Sequence, residues 1–452
     1  LLSGLPVHHA LQLNVVNSLK VAKTETIVTI ALQWIGSITL RLPFLFFLKI
    51  IKTFMSNTIM PTYGRLPVSF TKGEGVWLWD EHGNRYLDAL SGIAVCGLGH
   101  SHPAVTQAIC EQAATLLHTS NLYGIPNQQQ LADRLCEIST MENVFFSNSG
   151  AEANEAAIKM ARLYGHQQDI ENPAIIVVKS SFHGRTLATL SATGNRKVQA
   201  GFEPLVKGFI RAPYNDIHAL QEIAAHSKEV VAVMVEPIQG EGGIQIPDKE
   251  YLTDIRALCD QNNWLMILDE IQTGMGRTGE WFGFQHSAIQ PDIMTLAKGL
   301  GNGLPIGACL ARGKSAQLFQ PGNHGSTFGG NPLVTKAALA VINTLQQDKL
   351  VKNAATMGLY LLEQLGQRLS GNPVVAEIRG VGLMVGIELS QPCLSLVKLA
   401  LEEQKLLINV TAERVVRLLP PLILSQQEAD QIVDSLCQLI DQWSHTLEET
   451  QP

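Results

Sequence analysis

Two side chains that could do chemistry stand at the ends of two apolar runs. Lys298 lies in Ala297-Lys298-Gly299-Leu300-Gly301, just past Ile293-Met294-Thr295-Leu296. Asp269 follows Leu265-Met266-Ile267-Leu268, twenty-nine residues upstream. A primary amine forms a Schiff base with an aldehyde, and a carboxylate holds a proton on a ring nitrogen. At neighbouring strand ends the pair would grip opposite ends of one pyridine ring, as pyridoxal 5′-phosphate (PLP) chemistry requires. A lone lysine at a strand end is more often solvated and structural, so the residues around it have to decide.

The elements that must position this pair read as an alternating α/β chain. Short apolar runs recur at Val144-Phe145-Phe146, Ala174 to Val178, Val230 to Val235, Leu265 to Leu268, Ile293 to Leu296 and Ile306 to Leu310. They are continuous rather than alternating, the pattern of strands buried on both faces. Ala151 to Tyr164 places Ala153, Ala156, Ala157, Met160 and Ala161 at helical spacing. The expectation is a mostly parallel central sheet covered by helices. Polar residues cluster after five of the runs: Ser147 to Gly150, Ser181 to Arg185, Glu236 to Gly242, Asp269 to Gln272, and Lys298. Open α/β sheets bind ligands outside the carboxyl ends of their strands, so five such ends describe one crevice.

Ser149-Gly150-Ala151-Glu152-Ala153-Asn154 joins a strand to a helix, where free N–H groups can hold a phosphate. The plainer reading, Ser149 as N-cap with Glu152 completing a capping box, is compatible with it. Gly274-Met275-Gly276-Arg277-Thr278-Gly279 matches GxGxxG, but Asp269 to Thr273 intervene after the strand and Glu280 to Phe284 is a poor helix. A dinucleotide-binding unit is therefore not expected. Gly325 to Pro332 is a glycine-rich turn carrying Ser326 and Thr327, and beside a phosphate cradle Thr327 is a candidate donor.

The net charge of −7 and scattered basic residues argue against a nucleic-acid footprint. Seven well-separated cysteines without CxxC argue against a zinc knuckle or disulfide framework and fit reduced thiols in the cytoplasm. His100 and His102 lack metal-site spacing, so no metal is expected. Residues 1–59 read differently. Thr26 to Leu40 is uncharged but falls short of the ~20 residues of a spanning helix, and Arg41 and Pro43 interrupt it. An upstream frame before a start at Met55 or Met60 is favoured over a targeting or anchor segment, and no membrane association is expected. Residues 60–115 are read as the first part of a small domain, 116–330 as a large cofactor-binding domain, and 331–452 as the C-terminal small domain, of α+β type. Its strands are expected at Val374 to Arg379, Leu383 to Leu389, Leu406 to Val410 and Val415 to Pro421.

Together, Ser-Gly-Ala-Glu-Ala-Asn, Phe-His-Gly-Arg-Thr, Glu-Pro-Ile-Gln-Gly-Glu-Gly-Gly, Asp-Glu-Ile-Gln-Thr-Gly-Met-Gly-Arg-Thr-Gly and His-Gly-Ser-Thr-Phe-Gly-Gly-Asn-Pro resemble the class III (subgroup II) PLP aminotransferases, over about Pro61 to Ile440. The resemblance implies a PLP-transferase type I fold and a homodimer with the active site at the subunit interface. It implies that Lys298 carries the cofactor as a Schiff base, that Asp269 holds the pyridinium proton, and that Gln272 approaches the ring hydroxyl. Ser149, Gly150 and Ala151 would cradle the phosphate, Thr327 would reach it from the other subunit, and Phe182 would stack on the ring. Arg185 and Ser326 would bind substrate, Arg185 through the α-carboxylate, and Glu241 and Arg417 match an acid–arginine pair that switches between substrates. Ala151 stands where many relatives have threonine, which puts only a side-chain hydroxyl contact in doubt. Within the family the chain looks most like the branch that takes N-acetylornithine as donor and 2-oxoglutarate as acceptor, sometimes also N-succinyl-diaminopimelate. Ornithine and 4-aminobutyrate donors stay open, as does a catalytically idle binding protein of the same fold.

Overall fold

The structure, a computed structural model, describes residues 58–448. The expectations for residues 1–57 lie outside them. The chain divides into two units, Leu1–Leu66 and Pro67–Pro452. In the first, the described residues 58–66 form no helix or strand. The second carries all the regular structure that follows.

Three strands come first: β1 (Phe70–Glu74), β2 (Trp77–Asp80) and β3 (Arg85–Asp88), antiparallel in sequence order. Seven strands then build the central sheet: β4 (Asn143–Ser147), β5 (Ala174–Val178), β6 (Phe209–Ala212), β7 (Val230–Val235), β8 (Leu265–Asp269), β9 (Ile293–Leu296) and β10 (Gly307–Ala311). Their spatial order is β4-β10-β9-β8-β7-β5-β6. Neighbours from β9 to β6 are parallel, and β10 is antiparallel to both β9 and β4. Every strand but β10 thus runs the same way, so the carboxyl ends of β4, β5, β7, β8 and β9 open on one edge. The expected mostly parallel sheet is present; the reversed β10 and the short edge strand β6 were not read from sequence.

The continuous apolar runs have the physical cause proposed for them. All residues of β5, β7 and β8 are buried. Ile176, Val178, Met266 and Leu268 join one apolar cluster, while Ile175, Val177, Leu265 and Ile267 join another on the opposite face. That second face is covered by the helix Gly150–His166 through Ala156, Ala157, Met160 and Ala161. The first is covered in part by Tyr251–Asn262, through Leu252, Ile255 and Leu258. Both faces need helices because neither carries a polar alternate.

Past the helix Pro332–Gln347 come β11 (Val375–Val381), β12 (Met384–Leu389), β13 (Leu406–Leu407), β14 (Asn409–Thr411) and β15 (Val415–Leu418). Four of them form a sheet in the order β11-β12-β15-β14, and β13 instead pairs in parallel with β3. The run expected to Pro421 stops as a strand at Leu418, because Pro420 and Pro421 have no N–H to give a ladder. Among the described residues no helix is long and apolar enough to cross a membrane.

Candidate active site

Asp269, the last residue of β8, is 3% exposed, yet both of its oxygens are satisfied. Oδ2 accepts from Asn154 Nδ2 at 2.8 Å and meets His183 Nδ1 at 2.8 Å, and Oδ1 accepts from the Ile271 N–H at 3.1 Å. Asn154, from the helix Gly150–His166, has its amide fixed from two sides. Its Nδ2 also donates to His183 O at 2.8 Å, and its Oδ1 accepts from Thr295 Oγ1 at 2.7 Å. A buried carboxylate with this many hydrogen-bond partners keeps one orientation.

Sequence reasoning gave His183 and Asn154 no role. A signal existed for Asn154. It falls on the buried stripe with Ala157 and Ala161, where a polar residue requires a buried partner. His183 stood inside a quoted motif, but nothing local marks it as the partner of Asp269.

Lys298 opens a one-turn 3-10 helix, Lys298–Leu300, after β9. Its φ of +40° is a conformation that non-glycine residues adopt at a cost. Burial first, then the Arg417 charge, lower the amine's pKa to about 8; Glu241, Asp269 and Glu236 pull the other way. A pKa of about 8 leaves roughly a tenth of the amine neutral at pH 7, far more than in an ordinary lysine, as a nucleophile or general base needs. The same balance places the amine within electrostatic reach of all four groups.

Arg417, on β15, is completely buried. Its Nη1 donates to Glu241 Oε1 at 2.7 Å and to Gln272 Oε1 at 3.4 Å, and its Nε donates to Asn409 Oδ1 at 3.1 Å. Its Nη2 is buried with no partner. Such a cation carries unused capacity for an anion. Glu241 is 37% exposed through its side chain, so this ion pair opens toward solvent on the acid's side. Gln272 leaves no room beside it: a Cβ on Gly240 would lie 2.2 Å from Gln272 Oε1.

Ser149 caps the helix Gly150–His166 by accepting from the Glu152 N–H at 3.2 Å. The reciprocal half of the expected capping box is shifted by one residue: Glu152 Oε2 accepts from the Asn148 N–H at 2.7 Å and from Asn148 Nδ2 at 2.8 Å, not from Ser149. The first N–H groups, those of Gly150 and Ala151, have no acceptor within the helix. A Cβ on Gly150 would stand 2.7 Å from Ile271 Cδ1, so this helix start abuts the residues after Asp269. Gly184, at φ +141°, lets the loop after β5 approach, since a Cβ there would lie 2.9 Å from Ala151 Cβ. That loop carries Phe182, half-buried, and Arg185, exposed, with the guanidinium 5.7 Å from the Phe182 ring centre.

The structure sets Ser326 and Thr327 somewhat apart. Ser326 Oγ accepts from Asn148 Nδ2 at 3.1 Å, and the exposed Thr327 lines a recess of about 350 Å³ with Ser147, Asn148, Glu152 and Glu155. Neither Lys298 nor Asp269 lines it. The stretch Gly274 to Gly279 is a series of turns, as the argument against a dinucleotide site requires, and its Arg277 is buried against Leu383 O (2.9 Å) and Pro420 O (2.5 Å). Among the described residues no group of His, Cys, Asp and Glu could hold a metal ion.

This donor set fits PLP. Asp269 suits a protonated ring nitrogen, the free N–H groups of Gly150 and Ala151 suit a phosphate, Phe182 suits an aromatic face, and Lys298 supplies the amine. The unpartnered Arg417 nitrogen suits a substrate carboxylate.

Residues 58–440 match the family Aminotransferase class-III. The chain is 60% identical over 382 residues to the acetylornithine aminotransferase of Nitrosomonas europaea, covering 84% of this chain and 97% of that protein. It is 49% identical, over 84% of this chain and 96% of the other, to the protein of that name in Methanothermobacter thermautotrophicus. Among solved structures it is similar to the ornithine aminotransferase of Toxoplasma gondii ME49, with a TM-score of 0.82 and 33% identity over 89% of this chain and 95% of that one. It is also similar to the acetylornithine aminotransferase of Elizabethkingia anophelis, with a TM-score of 0.76 and 33% identity over 88% and 98%. A family match over residues 58–440, and similarity spanning nearly the whole length of its relatives, make this chain a member of the PLP-dependent class-III aminotransferases.

Proposed function

We propose that the protein transfers the terminal amino group of N2-acetyl-L-ornithine to 2-oxoglutarate, giving N-acetyl-L-glutamate 5-semialdehyde and L-glutamate, a step of arginine biosynthesis. The observation that carries this reading is the 60% identity to an acetylornithine aminotransferase along 97% of that protein. The closed Glu241–Arg417 pair supports it, because the two substrates of such an enzyme differ in the carboxylates that must be bound.

Lys298 would carry the cofactor, Asp269 would face its ring nitrogen, Gln272 its ring hydroxyl, and Phe182 its face. Ser149, Gly150 and Ala151 would hold its phosphate. Bound PLP supplies an electron sink for the charge that develops when a C–H bond beside the amine breaks. Lys298 Nζ, in its neutral form, takes the proton from the carbon that bears the amino group of the donor. Asp269, oriented by Asn154 and His183, keeps a proton on the ring nitrogen. Arg185 and Ser326 bind substrate, Arg185 through the donor's α-carboxylate. In the second half-reaction Glu241 moves aside and Arg417 takes a carboxylate of 2-oxoglutarate. An arginine already stripped of water makes this exchange favourable only for a well-placed anion.

A homodimer belongs to the same reading. Leu117, Leu122, Tyr123 and Phe328 are 53%, 86%, 69% and 61% exposed. They sit on two loops tied together by Asn121 Nδ2, which donates to Ser326 O (3.0 Å) and Gly329 O (3.1 Å). An apolar patch of this kind beside Thr327 fits a second copy of the chain, which would bring Thr327 to the partner's phosphate site. Seven unpaired cysteines support a reducing, cytoplasmic setting. Residues 116–330 are read as the cofactor-binding domain, and 60–115 with 331–452 as the small one.

The test is a donor panel on the purified protein with 2-oxoglutarate: N-acetylornithine, N-succinyl-diaminopimelate, ornithine and 4-aminobutyrate. The highest kcat/KM is expected for N-acetylornithine. Preference for ornithine or 4-aminobutyrate would replace the assignment within the family. In K298A turnover and the absorbance of the Schiff-base-bound cofactor should vanish with the circular dichroism unchanged; full activity there would end the catalytic reading, and binding of PLP by the wild type without any transamination would favour an idle binding protein.

A further inference from the structure

One buried acid near the crevice has no part in the chemistry above. Glu236 directly follows β7, is 5% exposed, and extends its two oxygens to two different loops. Oε1 accepts from the Phe182 N–H at 2.9 Å, and Oε2 accepts from the Gly240 N–H at 3.2 Å. The first N–H belongs to the residue whose ring faces the proposed cofactor. The second belongs to the residue immediately before Glu241.

We propose that Glu236 is a positioning residue that clamps the Phe182 loop to the Glu241 loop, so that the aromatic face and the Glu241–Arg417 pair keep one fixed spacing. The proposal rests on the function proposed above. Its geometric half stands on the two bonds alone. A buried carboxylate is costly unless its lone pairs are used, and here the acceptors are spent on two main-chain donors more than fifty residues apart. Burial, partly countered by His183 and reinforced by the Asp269 charge, pushes the carboxyl's pKa up to about 7, and the two main-chain bonds offset part of that cost. The Gly240 side has little slack. Gly240 is pressed against Gln272, Gln239 Nε2 donates to Lys179 O at 2.8 Å, and Thr411 Oγ1 donates to Glu241 O, so the loop is anchored before and after the clamp. Releasing Gly240 would loosen the stretch between those anchors and with it the spacing of the Glu241 carboxylate from Arg417, which Asn409 holds.

The test compares wild type and E236Q, each purified and loaded with PLP, by hydrogen–deuterium exchange and steady-state kinetics. Glutamine keeps the size but has a single acceptor oxygen, so it can serve only one of the two N–H groups at a time and, as its amide flips, leaves each loop released for part of the time. Peptides containing Phe182 and Gly240 should both exchange at least about tenfold faster, with β11 peptides unchanged. The KM for the amino donor should rise about tenfold while that for 2-oxoglutarate moves less than about threefold, a split that general destabilisation would not produce. Wild-type exchange at either loop overturns the clamp. Faster exchange at both loops with equal changes in the two KM values overturns its link to substrate selection. Should wild type bind PLP without transaminating, the proposed function falls, and the exchange data still decide the clamp. If E236Q does not fold, E236D carries the test: it is one methylene shorter, reaches one amide only, and should release a single loop.

Discussion

His183 meets Asp269 Oδ2 with Nδ1 at 2.8 Å, and its other ring nitrogen is buried without a partner. A carboxylate oxygen accepts, so Nδ1 is read as the donor of this pair. The ring therefore acts on Asp269 as an orienting donor, the arrangement used around many cofactors and metals to fix a ligand.

Removing that donor should weaken the grip on the cofactor. H183A leaves Asp269 with Asn154 and the Ile271 N–H, and loss of a buried bond to a charged group is worth about 1.5–3 kcal/mol. A rise of about 10- to 150-fold in the PLP dissociation constant is expected, measured by fluorescence titration, with a fall in kcat. Unchanged affinity and turnover would mean that Asn154 alone orients the acid.

The Lys298 amine gives a pH dependence with a defined sign. Its pKa in the folded, cofactor-free protein is about 8, below the ordinary 10.5, so between those values the unfolded chain binds more protons than the folded one. Stability of the cofactor-free protein should rise with pH across about 8 to 10.5 and be lost as pH falls through 8. K298M should flatten that rise in urea titrations. The rate at which cofactor-free protein recaptures PLP should increase through about pH 8, following the neutral amine. A rate independent of pH between 7 and 9 would contradict this.

Gly240 should tolerate no side chain. A Cβ would lie 2.2 Å from Gln272 Oε1, closer than non-bonded atoms approach, so Gln272 or the loop must move. G240A is expected to lower kcat/KM by at least about tenfold with overpacking of about 1–3 kcal/mol in denaturant titrations. G366A, where nothing lies within 4 Å of the added atom, is the control and should behave as wild type.

Charging the exposed patch should separate assembly from folding. L122D combined with F328D places two acids on residues 86% and 61% exposed, which costs the isolated chain little. Sedimentation velocity should show a shift from dimer to monomer, and activity should fall by more than about tenfold as Thr327 is withdrawn. A variant that stays dimeric and fully active would remove the interface from this face.

Much of the site was legible because its information is local. A run of β-branched and aliphatic residues without polar alternates can be stable only as a strand covered on both sides, and the residue that ends it must face the sheet's edge. That reasoning fixed the neighbourhoods of Ser149, Phe182, Glu236, Asp269 and Lys298 before any coordinates. It could not fix the direction of β10, because a buried run reads the same either way, nor find β6, whose four residues include Arg211.

What only tertiary structure decided is which distant groups meet. Arg417 and Glu241 are 176 residues apart, and Asn154 and Asp269 are 115 apart. No periodicity relates such positions; packing of helix on sheet and of one sheet beside another brings them within 3 Å. By itself the sequence supplied the chemical types at one edge of a sheet. Folding chose the hydrogen-bond partners, because an acid or a guanidinium removed from water must find the donor or acceptor that the packed geometry leaves within reach.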